Sequence, residues 1–155
     1  MFSVRILGHN SLNGTIPETL ANLRSLKDLD ISYCNFTGQI PSQLGNLPSI
    51  RSVYLDFNGL TGSPPDFSIN SPLSIFSASH NQLDGSLPNS FGLLQNLDTL
   101  YLQNNRMVGT VSNFVCILAN MNLQHNQWSC PVPACCSDTG NFLCLPCFWV
   151  LCDKI

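Results

Sequence analysis

Charge is scarce in this chain. Lys and Arg number six against nine Asp and Glu, so charged residues fill 10% of 155 positions, where an ordinary domain carries about a quarter. The basic residues Arg5, Arg24, Lys27, Arg51, Arg106 and Lys154 are scattered. Without a cationic stripe to displace phosphate counterions, nucleic-acid binding is excluded. Long apolar runs are missing as well. The longest, Phe142 to Cys152, is interrupted by Pro146, whereas a membrane-spanning helix needs roughly 20 residues. Any attachment to a membrane therefore requires a segment this sequence does not contain. Met1-Phe2-Ser3-Val4-Arg5 also lacks the basic start, apolar stretch and cleavage site of a secretory signal. Catalytic motifs are absent too: there is no G-x-S-x-G, H-E-x-x-H, G-x-x-x-x-G-K or G-x-G-x-x-G, and no paired acids in a cleft. No enzyme activity, cofactor or metal is expected.

What the chain has is a period. Glycines recur at Gly14, Gly38, Gly62, Gly85 and Gly109, at steps of 24, 24, 23 and 24, with Pro17, Pro41, Pro65 and Pro88 three residues after the first four. An amide-or-thiol column runs through Asn10, Cys34, Asn58, Asn81, Asn105 and Asn126, the last step shrinking to 21. Apolar residues fall at a fixed phase between these markers, as in Leu20, Leu23, Leu26, Leu29 and Ile31 or Phe91, Leu94, Leu97, Leu100 and Leu102. The unit reads L-x-x-L-x-x-L-x-L-x-x-N-x-L-x-G-x-I-P, a leucine-rich-repeat solenoid.

Each column has a physical reason. The alternating L-x-L is a short strand with two leucines inward, and stacked strands form one parallel sheet. An inward Asn carries donor and acceptor to satisfy backbone groups where the chain leaves the strand, and a thiol at Cys34 fills that volume less completely. Glycine suits a turn with positive φ, and the proline holds an extended return segment. No repeat buries its own leucines, so the array is stabilised by neighbours and needs capped ends. The expected fold is an α/β solenoid, a horseshoe segment with one parallel sheet on the concave face and a mostly irregular or 3-10 convex side. Residues 1–129 form about five to six repeats and 130–155 a cysteine-rich cap and apolar tail.

The motifs Leu12-Asn13-Gly14-Thr15-Ile16-Pro17, Phe36-Thr37-Gly38-Gln39-Ile40-Pro41 and Leu83-Asp84-Gly85-Ser86-Leu87-Pro88 resemble the plant-type leucine-rich repeat. This variant is found in ectodomains of receptor-like kinases and receptor-like proteins, in polygalacturonase inhibitors and in protist repeat proteins. The resemblance implies an extracellular recognition surface for a protein, peptide or glycan. It leaves two other readings, a secreted inhibitor of a wall-degrading enzyme and a cytosolic interaction scaffold. The family's N-terminal cap is missing and Arg5 stands where a core leucine belongs, so the chain reads as the C-terminal portion of a longer array.

Six cysteines, Cys130, Cys135, Cys136, Cys144, Cys147 and Cys152, crowd behind the last Asn. The stretch Trp128 to Cys135 is similar to the disulfide caps of extracellular repeats, and disulfide use points to an oxidising compartment. Connectivity is open. A zinc site from Cys130, Cys135, Cys144 and Cys147 and a redox pair at Cys144 and Cys147 are the alternatives. Cys34 and Cys116 are expected to be buried free thiols. Asn13 and Asn35 begin sequons for N-glycans in a secreted chain.

Aligning the repeats on the Asn column picks out the exposed face. Just before the Asn stand His9, Tyr33, Phe57, His80, Asn104 and His125; between the core leucines stand Ile6, Asp30, Tyr54, Ser77, Tyr101 and Asn122. All three histidines and all three tyrosines fall in these two columns, with Gly8, Ser32, Asp56, Ser79, Gln103 and Gln124 between them. Rigid aromatics beside small polar groups give contact area at little entropy cost. The expected contacts are His9, Asp30, Tyr33, Tyr54, Asp56, Phe57, Ser79, His80, Tyr101, Gln103 and His125. The histidines stand too many rungs apart to share a metal, but they would make binding sensitive to pH.

Overall fold

The computed structural model of the protein describes residues 4–129 and 133. Six short strands recur at the period of the sequence: β1 (Val4–Ile6), β3 (Asp28–Asp30), β5 (Ser52–Tyr54), β7 (Ile75–Ser77), β8 (Thr99–Tyr101) and β10 (Asn120–Asn122). They pair in that order as one parallel sheet, in a register that aligns Asp28, Ser52, Ile75, Thr99 and Asn120. The middle residue of β3, β5, β7, β8 and β10 points inward. Leu29, Val53, Phe76 and Leu100 are completely buried and Met121 nearly so, as are Ile31, Leu55, Ala78, Leu102 and Leu123 two residues on. The flanking residues point the other way, onto the concave face.

On the return side, 3-10 helices span Glu18–Asn22, Ser42–Asn46, Asn89–Leu93 and Asn113–Ile117. Three of them begin after a proline, Pro17, Pro41 or Pro88, held at φ between −73° and −58°. Among the described residues the third repeat has no 3-10 helix. There the loop through Pro64 to Phe67 passes so close to Gly45 that a Cβ on Gly45 would sit 1.8 Å from the Asp66 carbonyl oxygen. Phe67 then turns inward and packs edge-to-face on Phe76 and Phe91, with ring centroids 5.3 to 5.8 Å apart. This trio replaces the leucines that the repeat template calls for.

A second feature goes beyond the single sheet expected from the sequence. β2 (Asn13–Thr15), β4 (Asn35–Gln39) and β6 (Gly59–Thr61) form a three-stranded parallel sheet, and β9 (Val108–Gly109) pairs with β11 (Gln127–Trp128). Gly14, Gly38, Gly62 and Gly109 have positive φ between 76° and 94°. Gly85 departs from the expected turn role: its φ is not positive, and its need is space, because a Cβ there would meet the Ser63 hydroxyl at 1.9 Å.

The amide column ties one rung to the next. Asn58 Nδ2 donates to the carbonyls of Ile31, Leu55 and Asp56, and its Oδ1 accepts from the Phe36 amide at 3.0 Å. Asn81, Asn105 and Asn126 repeat this pattern, accepting from Leu60, Leu83 and Met107. Asn10, in the first turn, donates to Leu7 and Gly8. Cys34 is the gap in the column: it is free and buried, with only long contacts of 3.5 Å from Sγ to the Leu7 and Ser32 carbonyls. The expectation for Cys116 is corrected. It is disulfide-bonded, and it is exposed because in its 3-10 helix Val115 is buried and Phe114 packs against the core, which leaves Cys116 on the outer side. The cap cysteines Cys130, Cys135, Cys136, Cys144, Cys147 and Cys152 lie outside the described residues, as does the side chain of Arg5. Among the described residues no helix is long and apolar enough to cross a membrane.

Candidate functional site

Each strand of the large sheet but the last, β10, is followed by two residues still paired to the next rung, and then by a sharp turn. At that turn the backbone enters the left-handed region: φ is 58° at His9, 52° at Tyr33, 55° at Phe57, 54° at His80, 58° at Asn104 and 55° at His125. Bulky residues rarely adopt this conformation, which costs about 1–2 kcal/mol for an L-residue. Main-chain bonds hold it in place. The amides of His9, Tyr33, Phe57, His80 and Asn104 donate at 2.8 to 3.0 Å to the carbonyls of Ser32, Asp56, Ser79, Gln103 and Gln124 on the next rung.

This repeated turn stacks the side chains. The rings of His9 and Tyr33, Tyr33 and Phe57, and Phe57 and His80 lie 4.3, 4.3 and 4.1 Å apart, each pair within 15° of parallel. Asn104 continues the row by donating from Nδ2 to His80 Nε2 at 3.2 Å. The row is exposed, with Tyr33 at 47% and Phe57 at 39% of their full accessibility. It stands at the rim rather than on the sheet proper. Phe57 and His80 line a shallow depression of about 430 Å³ whose other wall is Asn35 and Thr37 of β4 and Gly59 of β6.

On the sheet itself, Tyr54 lies beside Asp30, its partner across β3 and β5, and Tyr101 continues the row past Ser77. Burial, and after it the charges of Asp28, Asp30 and Asp56, push the Tyr54 phenol above its usual 10.0; a hydrogen bond with Ser52 opposes them. Ser79 is buried and donates to Asp56 Oδ1, so it positions that carboxylate instead of facing a ligand. Gln103 is half-buried and its Oε1 accepts no hydrogen bond. His125 is exposed one rung past Asn104. Among the described residues no group of His, Cys, Asp or Glu is placed to hold a metal ion.

The column that opens each strand, Asp28, Ser52, Ile75, Thr99 and Asn120, also faces the concave side. Sequence reasoning left it out of the site, although strand alternation around the buried middle residue was the signal for it. Asn13 and Asn35 are exposed register partners on β2 and β4.

Parallel rungs, an inward amide column and 3-10 returns together define a leucine-rich-repeat solenoid. The Leucine Rich Repeat family model matches residues 25–47 and 72–94. No curated protein matches the chain in sequence. Among solved structures it is similar to the ectodomain of the Arabidopsis thaliana membrane receptor kinase GASSHO1/SCHENGEN3 in complex with Casparian strip integrity factor 2. There the identity is 35% and the TM-score 0.76, over 81% of this chain and 16% of that one. It is also similar to the Arabidopsis receptor kinase HAESA ectodomain bound to an N-terminally extended IDA peptide hormone (33%, 0.79, 84% and 23%). A third similarity is to the Arabidopsis thaliana BIR3–SERK2 complex (32%, 0.70, 84% and 71%). The chain belongs to the leucine-rich-repeat family and resembles plant receptor-kinase ectodomains. It spans between 16% and 28% of the first three receptor chains it matches.

Proposed function

We propose that this chain is a non-catalytic extracellular recognition module that binds a protein or peptide through the concave sheet and its aromatic rim. The observation that carries the reading is the row His9, Tyr33, Phe57 and His80, exposed and stacked on left-handed turns. Core packing does not need these rings in solvent, and strained conformations persist where the fold over-determines them and function uses them. The receptor ectodomains it resembles include ones in complex with peptide hormones, which favours a peptide over a glycan or a wall-degrading enzyme. In this reading Asn13 and Asn35 carry N-glycans, and residues 130–155 form a disulfide-pinned cap.

The test is a random peptide library selected against the full chain, followed by measurement of each binder on Tyr33→Ala/Phe57→Ala. The reading predicts at least about a tenfold loss of affinity, typical of removing central aromatic contacts, with cooperative unfolding retained. Binders indifferent to the double substitution would place the binding surface elsewhere.

A further inference from the structure

Two carboxylates on the concave face are each fixed through a single oxygen. Asp30 Oδ1 accepts from the Ser32 amide at 3.0 Å and the Ser32 hydroxyl at 2.6 Å. Asp56 Oδ1 accepts from the hydroxyl of Ser77 at 2.6 Å, the amide of Ser79 at 2.8 Å and the hydroxyl of Ser79. Each carboxylate thus keeps its second oxygen turned to no partner among the described residues. Asp28, Asp30 and Asp56 form no ion pair there either, although Lys27 and Arg51 are neighbours in sequence.

All three acids surround one aromatic ring. Asp30 is the cross-strand partner of Tyr54, Asp28 faces the same way two residues earlier, and Asp56 follows Tyr54 by two. Tyr33, three residues after Asp30, donates its amide to the Asp56 carbonyl. The far end of the face is neutral, with Gln103, Asn104, Asn122 and Gln124. Asp28, Asp30 and Asp56 thus stand on the second and third rungs beside the exposed rings of Tyr33 and Phe57, while Asp98, just before β8, is already hydrogen-bonded by Thr99 and Asn120.

The carboxylates are not grouped tightly enough to hold a metal ion. A wider, planar cation fits them better. A guanidinium presents five donors in a fixed fork, bridges separate carboxylate oxygens and lies against an aromatic face. We propose that this face takes an extended basic peptide, with one arginine set between Asp30 and Asp56 against Tyr54 and the flanking residues along Tyr33 and Phe57. The proposal rests on the recognition reading above and gives it a ligand chemistry. Because Asp30 and Asp56 are pre-positioned by serines, little ordering cost remains to be met on binding.

The test is calorimetric titration of the full chain with the blocked hexapeptide Tyr-Gly-Arg-Gly-Tyr-Gly and with versions carrying citrulline or Glu in place of Arg. The expected result is that the arginine peptide binds about tenfold or more tightly than the citrulline peptide, and that this preference shrinks in high salt. Asp30→Asn and Asp28→Asn should each weaken the arginine peptide roughly three- to tenfold and leave the citrulline peptide unchanged. The Asp28 side chain makes no hydrogen bond among the described residues, so its variant is a control for folding damage. Equal binding of the three peptides, lost in Tyr33→Ala, would overturn the cation preference while leaving the recognition face standing. Failure of the arginine peptide to bind even at low salt would overturn the proposal outright.

Discussion

Phe57 and His80 come from successive repeats and hold their rings 4.1 Å apart and 9° from parallel. Both sit at positive φ, 55° and 54°. The turn is unfavourable alone, since bulky residues avoid the left-handed region, whereas a near-parallel aromatic pair at this separation is attractive. The repeat imposes them by copying one backbone turn every rung.

That balance predicts an unusual ordering of substitutions. Phe57→Ala removes two ring contacts and keeps the strained turn, so it should destabilise the fold by about 1–2 kcal/mol. Phe57→Gly removes the same contacts but relieves the strain, and should cost no more than the alanine variant despite glycine's larger unfolded-state entropy. Urea unfolding of the three proteins decides the order.

Cys34 interrupts the amide column and leaves the first two turns without the Oδ1 acceptor that Asn58 offers to Phe36. Cys34→Asn should stabilise the chain by about 1 kcal/mol by supplying an acceptor and stronger donors. The reverse change, Asn58→Cys, strips bonds from three carbonyls and one amide and should cost about 2–4 kcal/mol. Thermal unfolding of both variants under reducing conditions is the check.

Gly45→Ala should destabilise by about 2–3 kcal/mol, because the added methyl meets the Asp66 carbonyl at 1.8 Å and backbone must move. Gly14→Ala offers the contrast: its Cβ meets nothing within 4 Å, so only the strain of φ 94° opposes it, about 1–2 kcal/mol. Comparing the two denaturation midpoints separates crowding from backbone strain.

Tyr54 gives the chain an alkaline dependence. Its phenol is raised above 10.0 in the fold, by burial and then by Asp28, Asp30 and Asp56. The folded state therefore retains the proton longer than the unfolded state. Its stabilising contribution is fully present below pH 10.0, and is lost as pH rises through the higher folded value. Ultraviolet titration of the native chain and of Tyr54→Phe should differ by a phenol that ionises above pH 10.0, and Asp30→Asn should bring that ionisation to lower pH.

The sequence pattern placed the large sheet well because inward leucines and asparagines at a fixed step carry the physics of stacking. Other features left weaker traces. β2, β4 and β6 run through short segments such as Asn13-Gly14-Thr15, with no alternation to mark them as strands. The left-handed turn is occupied by His, Tyr and Phe, so its conformation was hidden under residues that ordinarily avoid it. Phe67 keeps the repeat step, 23 residues after Leu44 and 24 before Phe91, but no leucine and no 3-10 helix mark it, and its place against Phe76 and Phe91 follows from the loop crossing Gly45. Cys116 looked like a core residue by sequence, but its 3-10 turn points it outward. The columns of the concave face were visible by alignment; that Ser79 is buried under Asp56 was not, because burial there depends on a cross-strand hydrogen bond.

The most direct test of the recognition face is an amide chemical-shift map of the isotope-labelled full chain titrated with a library-selected peptide. The account predicts shifts clustered at residues 30–33, 54–57, 77–80 and 101–104, where the strands run into the aromatic turn. Shifts concentrated instead on the 3-10 helices Glu18–Asn22, Ser42–Asn46 and Asn89–Leu93 would contradict it, because the ligand would then sit on the opposite side of the solenoid.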